Sequence, residues 1–283
     1  MATALASIRE IEREVAALRI APGSDVPFQR TSVMTHTAWV PPEWVEAAED
    51  VLSGLAERHP SRTIVLVPEP EREDGLEAKV DVEVFPSGEG RQICAETIRI
   101  RLGGRRASAP ASVAQPLFLP DLPVFLRWRG VPTFGSDSFE SLVDVVDRLI
   151  VDSTEWPELP SAYAQLTGVF ERVVVSDIAW ARTSRWRRQL ASLWPGIGNV
   201  ERIRVTGTVA QAELLAGWLR SRLDRPVELE HKPADQLEGV EIDGKPTPFP
   251  PGDPPPPSDL LSEELDRFER DRIYEEAVRS AAG

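Results

Sequence analysis

Cysteine is almost missing from this sequence: Cys94 is the one thiol in 283 residues. No intramolecular disulfide can form and no cysteine-rich metal site exists, so a reducing compartment, the cytoplasm, is expected. Histidine is nearly as scarce. His36, His59 and His231 stand far apart, without metal-ligand spacing. No uncharged apolar run approaches the ~18 residues that span a bilayer. The opening MATALASIREIEREVAALRI lacks the apolar run of a signal peptide, so no membrane partner is expected. Positive charge is outnumbered, 32 basic against 46 acidic residues, for a formal net charge of −14. Phosphate backbones repel such a chain unless cations are concentrated locally, so nucleic acid is not an expected partner.

Motifs of catalysis are missing too. There is no G-x-x-x-x-G-K loop, no G-x-G-x-x-G after a strand and no G-x-S-x-G. The adjacent glycines of RLGGRR fit a turn. His59, in RHPSR, reads as a loop or capping histidine. Three carboxylates, Asp121, Asp152 and Asp177, sit where apolar runs meet loops. Strand ends are where α/β folds bind ligands, although each aspartate equally suits a cap or turn. A candidate ligand pocket of Arg129, Asp152, Ser153 and Asp177 follows from their placement.

What is present is alternation of strand and helix. An amphipathic helix built on Leu5, Ile8, Ile11 or Glu12, Val15 and Leu18 precedes the strand FQRTSVMTHTAWV. A helix opened by Pro41 and Pro42 follows, then the apolar run TIVLV, which suits a strand buried on both faces. AKVDVEVFP and RQICAETIRIRL alternate around SGEG and form an expected antiparallel hairpin, with Cys94 a structural thiol in its second strand. Further on come the strand PVFLRW, a helix and short strand in FESLVDVVDRLIVDS, and strand–helix–strand from Asn199 to Glu230. GVEIDGKPTPFP reads as a hairpin around Asp243 and Gly244. The expected fold is mixed α/β (α+β): two packed halves with mixed, partly parallel sheets flanked by helices, divided near Trp156 to Pro160. The expected domains are 1–157, 158–247, and 248–283. The last holds a proline-rich linker and one acidic C-terminal helix, with Ser258 or Asp259 as N-cap and a stripe of Leu261, Leu265, Phe268 and Ile273. That helix is expected to dock on its own domain.

One stretch stands out. DIAWARTSRWRRQLASLW, from Asp177 to Trp194, carries three tryptophans and four arginines in an acidic chain. Trp186, Leu190, Leu193 and Trp194 share one helical face, which makes Trp186 and Trp194 core candidates. Arg185, Arg187 and Arg188 fall to the other sides and, with Arg182, form the candidate partner-binding surface. Arginine and tryptophan are enriched at binding hot spots, and arginine forks grip carboxylate or phosphate.

HPSRTIVLV, PLFLPDLPVFLRWRG, DRLIVDS and VSDIAWARTSRWRRQLASLW occur in that order, followed by LLAGWLRSRL and RDRIYEEAV. Together they resemble the glucose-6-phosphate dehydrogenase assembly protein family, OpcA, in its actinobacterial form. The resemblance implies a non-catalytic assembly factor and allosteric activator. Its partner is glucose-6-phosphate dehydrogenase, whose active oligomer it promotes, raising NADPH production in the oxidative pentose phosphate pathway. No cofactor is implied. Self-association remains open. Cyanobacterial members are associated with thioredoxin control through cysteines, but a single cysteine excludes an intramolecular switch here. The other reading from the residues is a sugar-phosphate-binding α/β protein or enzyme.

Overall fold

The computed structural model describes residues 5–19, 32–53, 55, 59–86 and 92–283. Contacts divide the chain into two compact units, Met1–Ile150 and Val151–Gly283.

In the first unit, α1 (Ile8–Leu18) starts where the Ser7 side chain accepts a hydrogen bond from the Glu10 amide, and it buries Ile11 and Val15. The strands are β1 (Thr35–Trp39), β2 (Arg62–Glu69), β3 (Gly75–Pro86), β4 (Gln92–Gly103), β5 (Val124–Trp128) and β6 (Arg148–Val151), ordered β3-β4-β2-β1-β5-β6. β4, β2, β1, β5 and β6 run parallel, and β3 pairs antiparallel with β4. The mixed sheet expected from the sequence is therefore present. TIVLV lies in its middle, with Ile64, Val65 and Leu66 all buried, because a central parallel strand has both faces covered. The helix α2 (Val45–Ser53) connects β1 and β2. It follows a short 3-10 turn that Pro42 opens. Ala48 of α2 packs on Ala38, Val40, Val65 and Val67. The tight turn after β4 needs Gly104 at φ +51, and α3 (Arg105–Ser108), α4 (Ala111–Ala114) and α5 (Asp137–Val143) complete the unit's helices. The SGEG turn and the start of FQRTSVMTHTAWV lie outside the described residues. Cys94 stands opposite Val84 in the β3–β4 ladder, and its side chain is likewise outside them.

One buried network of charge lies in this unit. Arg62 Nε donates to Glu96 Oε2 at 2.8 Å, while its Nη1 donates to Glu12 Oε1 and to the Leu117 carbonyl. Arg19 also pairs with Glu96.

The second unit contains α6 (Ser161–Thr167), β7 (Val174–Asp177), α7 (Ile178–Arg182) and α8 (Ser184–Ala191). It continues with β8 (Arg202–Gly207), α9 (Val209–Leu223), β9 (Glu228–Pro233), β10 (Gly239–Ile242) and β11 (Lys245–Pro246), then α10 (Pro257–Leu265) and α11 (Arg272–Ala282). A second mixed sheet has the order β11-β10-β8-β9, with β8 and β9 parallel and the other pairs antiparallel. The expected hairpin is present: Asp243 (φ 49) and Gly244 (φ 76) make the two-residue turn between β10 and β11. A reciprocal box between Thr208 and Gln211 starts α9. α9 then buries Ala212, Leu215, Ala216 and Leu219 against Ile203 and Val205 of β8.

The C-terminal region departs from expectation. It holds two helices rather than one, broken over residues 266–271, and α10 begins on Pro257 with Pro256 as N-cap, ahead of Ser258 and Asp259. Leu261 and Leu265 are buried, but Phe268 falls in the break and is exposed, as is Ile273. Both helices do dock on their own unit. Gly217 lets α11 close on α9: a Cβ there would stand 2.2 Å from the Ala277 carbonyl oxygen.

Candidate functional site

The residues singled out between Asp152 and Trp194 are spread over β7, α7, α8 and the short 3-10 turn Ser153–Glu155. At the end of β7, Asp177 turns its carboxylate inward and caps α7. Its Oδ1 accepts from the Ala179 amide at 2.8 Å and the Ser153 amide at 3.0 Å. Its Oδ2 accepts from Ser153 Oγ at 2.6 Å and Tyr274 Oη at 3.4 Å. With its own proton directed to Asp177, Ser153 Oγ accepts from Tyr163 Oη at 2.9 Å. Burial raises the Asp177 pKa to about 7, with the neighbouring Asp152 charge adding to it, while the Ser153 and Ala179 donors oppose the rise. Burial also lifts both tyrosines well above the usual phenol range.

Asp152 makes a second set of bonds. Its Oδ1 accepts from Thr154 Oγ1 at 2.6 Å, and both oxygens receive Arg182 Nη1 at 2.8 Å. Thus Asp152, Ser153 and Asp177 do come together, as caps whose oxygens are occupied by the chain itself. Arg129 belongs to the first unit, where its guanidinium lies 4.6 Å from the Trp44 ring centroid. Asp121, the third strand-end carboxylate, occupies a turn at φ 61. The grooves along Arg72–Glu77, over α2 and along α11 are lined by other residues.

The four arginines differ sharply. Arg182 holds Asp152. Arg185 Nη2 donates to the carbonyls of Pro250 and Pro251, at 2.9 and 2.8 Å, and to that of Gly252, so it clasps the proline-rich segment. Arg187 lies over Trp180, its guanidinium carbon 3.3 Å from the ring centroid, and its Nε donates to Thr183 Oγ1. Burial pulls the Arg187 pKa down to about 10. Arg188 is the exposed member.

The tryptophans divide as well. Trp180 is buried and donates through Nε1 to Asp271 Oδ2 at 2.8 Å. Trp186 is buried, as expected, with Phe249 against it at 5.2 Å between centroids. Trp194 is not in the core: it is 67% exposed. α8 ends at Ala191, so the helical spacing that put Trp194 on the face of Trp186 no longer applies.

Sequence reasoning missed Tyr163 and Tyr274. A signal was available: they are the only two tyrosines in the chain, and both are fully buried beside Asp177. Among the described residues, no group of three or more histidine, cysteine, aspartate or glutamate side chains is placed to hold a metal ion. Nor, among them, is any helix long and apolar enough to cross a membrane.

Two family models match the chain in succession. Residues 53–168 match the N-terminal domain of the glucose-6-phosphate dehydrogenase subunit, and residues 173–249 match its C-terminal domain. Three similar proteins carry the name OpcA and are assigned by name to the OxPP cycle. The Synechocystis protein is 26% identical over 192 residues, 63% of this chain and 40% of its own length. That of Nostoc punctiforme is 27% identical over 194 residues, covering 64% and 42%. That of Synechococcus elongatus is 23% identical over 202 residues, covering 67% and 44%. The chain thus spans less than half the length of these relatives. With both domain models matched in order across 53–249, the chain belongs to the OpcA family of glucose-6-phosphate dehydrogenase assembly proteins.

Proposed function

We propose that this protein is a non-catalytic assembly factor and activator of glucose-6-phosphate dehydrogenase, acting in the cytoplasm on the supply of NADPH through the oxidative pentose phosphate pathway. The observation that carries this reading is the succession of the two family domain models over residues 53–249. The polar cluster supports it. A general acid or base must present a free atom to a substrate, and the Asp177 and Asp152 oxygens are instead held by internal donors. The same fact weighs against the sugar-phosphate pocket of Arg129, Asp152, Ser153 and Asp177.

An activator works through differential affinity. It must bind the active conformation or oligomer of the enzyme more tightly than the inactive one, because equal affinity shifts nothing. In this reading Arg182, Arg185, Arg187 and Arg188 belong to the partner surface in two ways. Arg188, exposed on α8, offers its fork to a partner carboxylate. Arg182, Arg185 and Arg187 fix the shape of the surface through Asp152, the proline-rich segment and Trp180.

The test is to titrate the full chain into the dehydrogenase while following light scattering and NADPH formation. The expected result is a larger dehydrogenase assembly and a higher rate at saturating chain. Arg188→Ala weakens the complex a few-fold and reduces its salt dependence, since an exposed charged contact contributes about 1 kcal/mol or less. An unchanged assembly size and rate with the wild-type chain would overturn the reading.

A further inference from the structure

Resting on that reading, we infer that Trp194 is the anchor by which the second unit grips the dehydrogenase, entering an apolar cleft whose rim carries a carboxylate. The chain has eight tryptophans, and Trp194 alone is exposed. Water-exposed indole is unfavourable in a chain that buries or half-buries the other seven. Its placement is tied to the loop that follows it.

Its ring lies against the backbone of Gly198: a Cβ at that position would meet Trp194 Cζ3 at 3.1 Å. The loop beneath is fastened to the core. Ile197 is buried and Leu193 packs on the same cluster. The Ile197 amide donates to the Leu193 carbonyl at 3.2 Å, and the Gly198 amide to the Pro195 carbonyl at 3.0 Å. Arg225 Nη1 reaches the Gly198 carbonyl at 3.4 Å, which places a guanidinium on the same loop. An indole resting on this loop, with a partly exposed cation bonded to the same loop, combines side chains of the types most enriched at hot spots. Because it is pre-organised, it loses little freedom on binding. The cation in an otherwise acidic chain sets the charge of the occupant: a carboxylate on the partner answers Arg225, and an apolar cleft answers the ring. The loop also falls within residues 173–249, the stretch matched by the second of the two family domain models.

The experiment is calorimetric titration of wild type, Trp194→Ala and Gly198→Ala into the dehydrogenase, with melting curves and light scattering of each variant alone. Trp194→Ala is expected to weaken binding by about 30-fold or more, the scale of a hot-spot residue, with an unchanged melting temperature. Gly198→Ala, which tilts the ring and keeps it, gives a smaller loss. Wild-type affinity in Trp194→Ala overturns the inference and leaves the assembly-factor reading standing. A variant that loses only self-association overturns it too, in favour of a second copy of this chain as the occupant. No binding by the wild-type chain defeats both readings together.

Discussion

Each unit buries a titratable side chain that resists charge, a base, His36, in the first and an acid, Asp177, in the second, and acid should therefore act on them in opposite directions. In the first, His36 sits on the central strand β1, 2% exposed, and its Nε2 has no hydrogen-bond partner among the described residues. Burial, reinforced by the nearby Arg127 and His59, lowers its pKa to about 4, so the folded state keeps the ring neutral. In the second, Asp177 is surrounded by donors, yet burial and Asp152 raise its pKa to about 7. A buried base and a buried acid both resist charge. What differs is whether the neutral form lies at high or low pH.

The largest effect expected tests whether the first unit tolerates charge only in pairs. Arg62 and Glu96 have side chains 3% and 0% exposed. Removing the negative partner leaves Arg62 desolvated, which costs about 3–5 kcal/mol. Glu96→Gln should therefore lower the unfolding free energy by that amount, read as a lower urea midpoint at unchanged slope. A loss below about 1 kcal/mol, the scale of an ordinary exposed pair, would show that Glu12 alone compensates Arg62 and that the pairing with Glu96 is dispensable.

Next comes the acid limb. The folded His36 pKa lies below the unfolded value near 6.5, so the unfolded chain takes up the proton first. The stability contributed by neutral His36 is complete above about pH 6.5 and is lost as pH falls toward about 4. One proton gives a slope of about 1.4 kcal/mol per pH unit at its steepest. His36→Phe should remove that slope from urea-denaturation measurements across this acid range. Parallel pH curves for wild type and variant would mean that another group carries the acid sensitivity.

Asp177 runs the other way. Its folded pKa is raised above the ordinary carboxylate value, so its stabilisation is complete below about pH 4 and is lost as pH rises to about 7. Asp177→Asn mimics the neutral form and keeps an acceptor for the Ser153 and Ala179 amides. It should stabilise the protein relative to wild type increasingly from about pH 4 to 7, with a plateau above. A variant less stable than wild type on that plateau would show that the four donors outweigh burial and that the folded-state pKa is not raised.

The contrast also explains what could be read in advance. Periodicity reports which face is apolar, so TIVLV, the β3–β4 alternation and the strand–helix–strand from β8 to β9 were legible, as was the family resemblance. Asp177 was legible as a residue at a strand end. That it meets Ser153 and Tyr274 was not, because those bonds span 24 and 97 residues of sequence. Helical spacing failed at Trp194 for a definite reason: the spacing argument assumes one continuous helix, and α8 stops at Ala191. Phe268 failed in the same way, at the break between α10 and α11.

The smallest effect concerns Tyr274, which joins α11 to Asp177. Its hydroxyl is the most distant of the four donors, at 3.4 Å, against 2.6–3.0 Å for the others. The ring does more. It is fully buried and packs against Trp180 at 5.7 Å and Phe170 at 6.0 Å between centroids. Tyr274→Phe keeps that packing and deletes one long hydrogen bond. Asp177 retains three shorter donors, so no buried carboxylate oxygen is orphaned, and the cost should stay near about 0.5–1 kcal/mol. Because the phenol donor favours the charged carboxylate, its loss should also move the Asp177 pH limb slightly upward. Chemical denaturation on either side of the Asp177 midpoint reads both effects. A loss of several kcal/mol would mean that α11 hangs on this hydrogen bond rather than on apolar packing, and the polar cluster would then be the main fastening of the C-terminal helix.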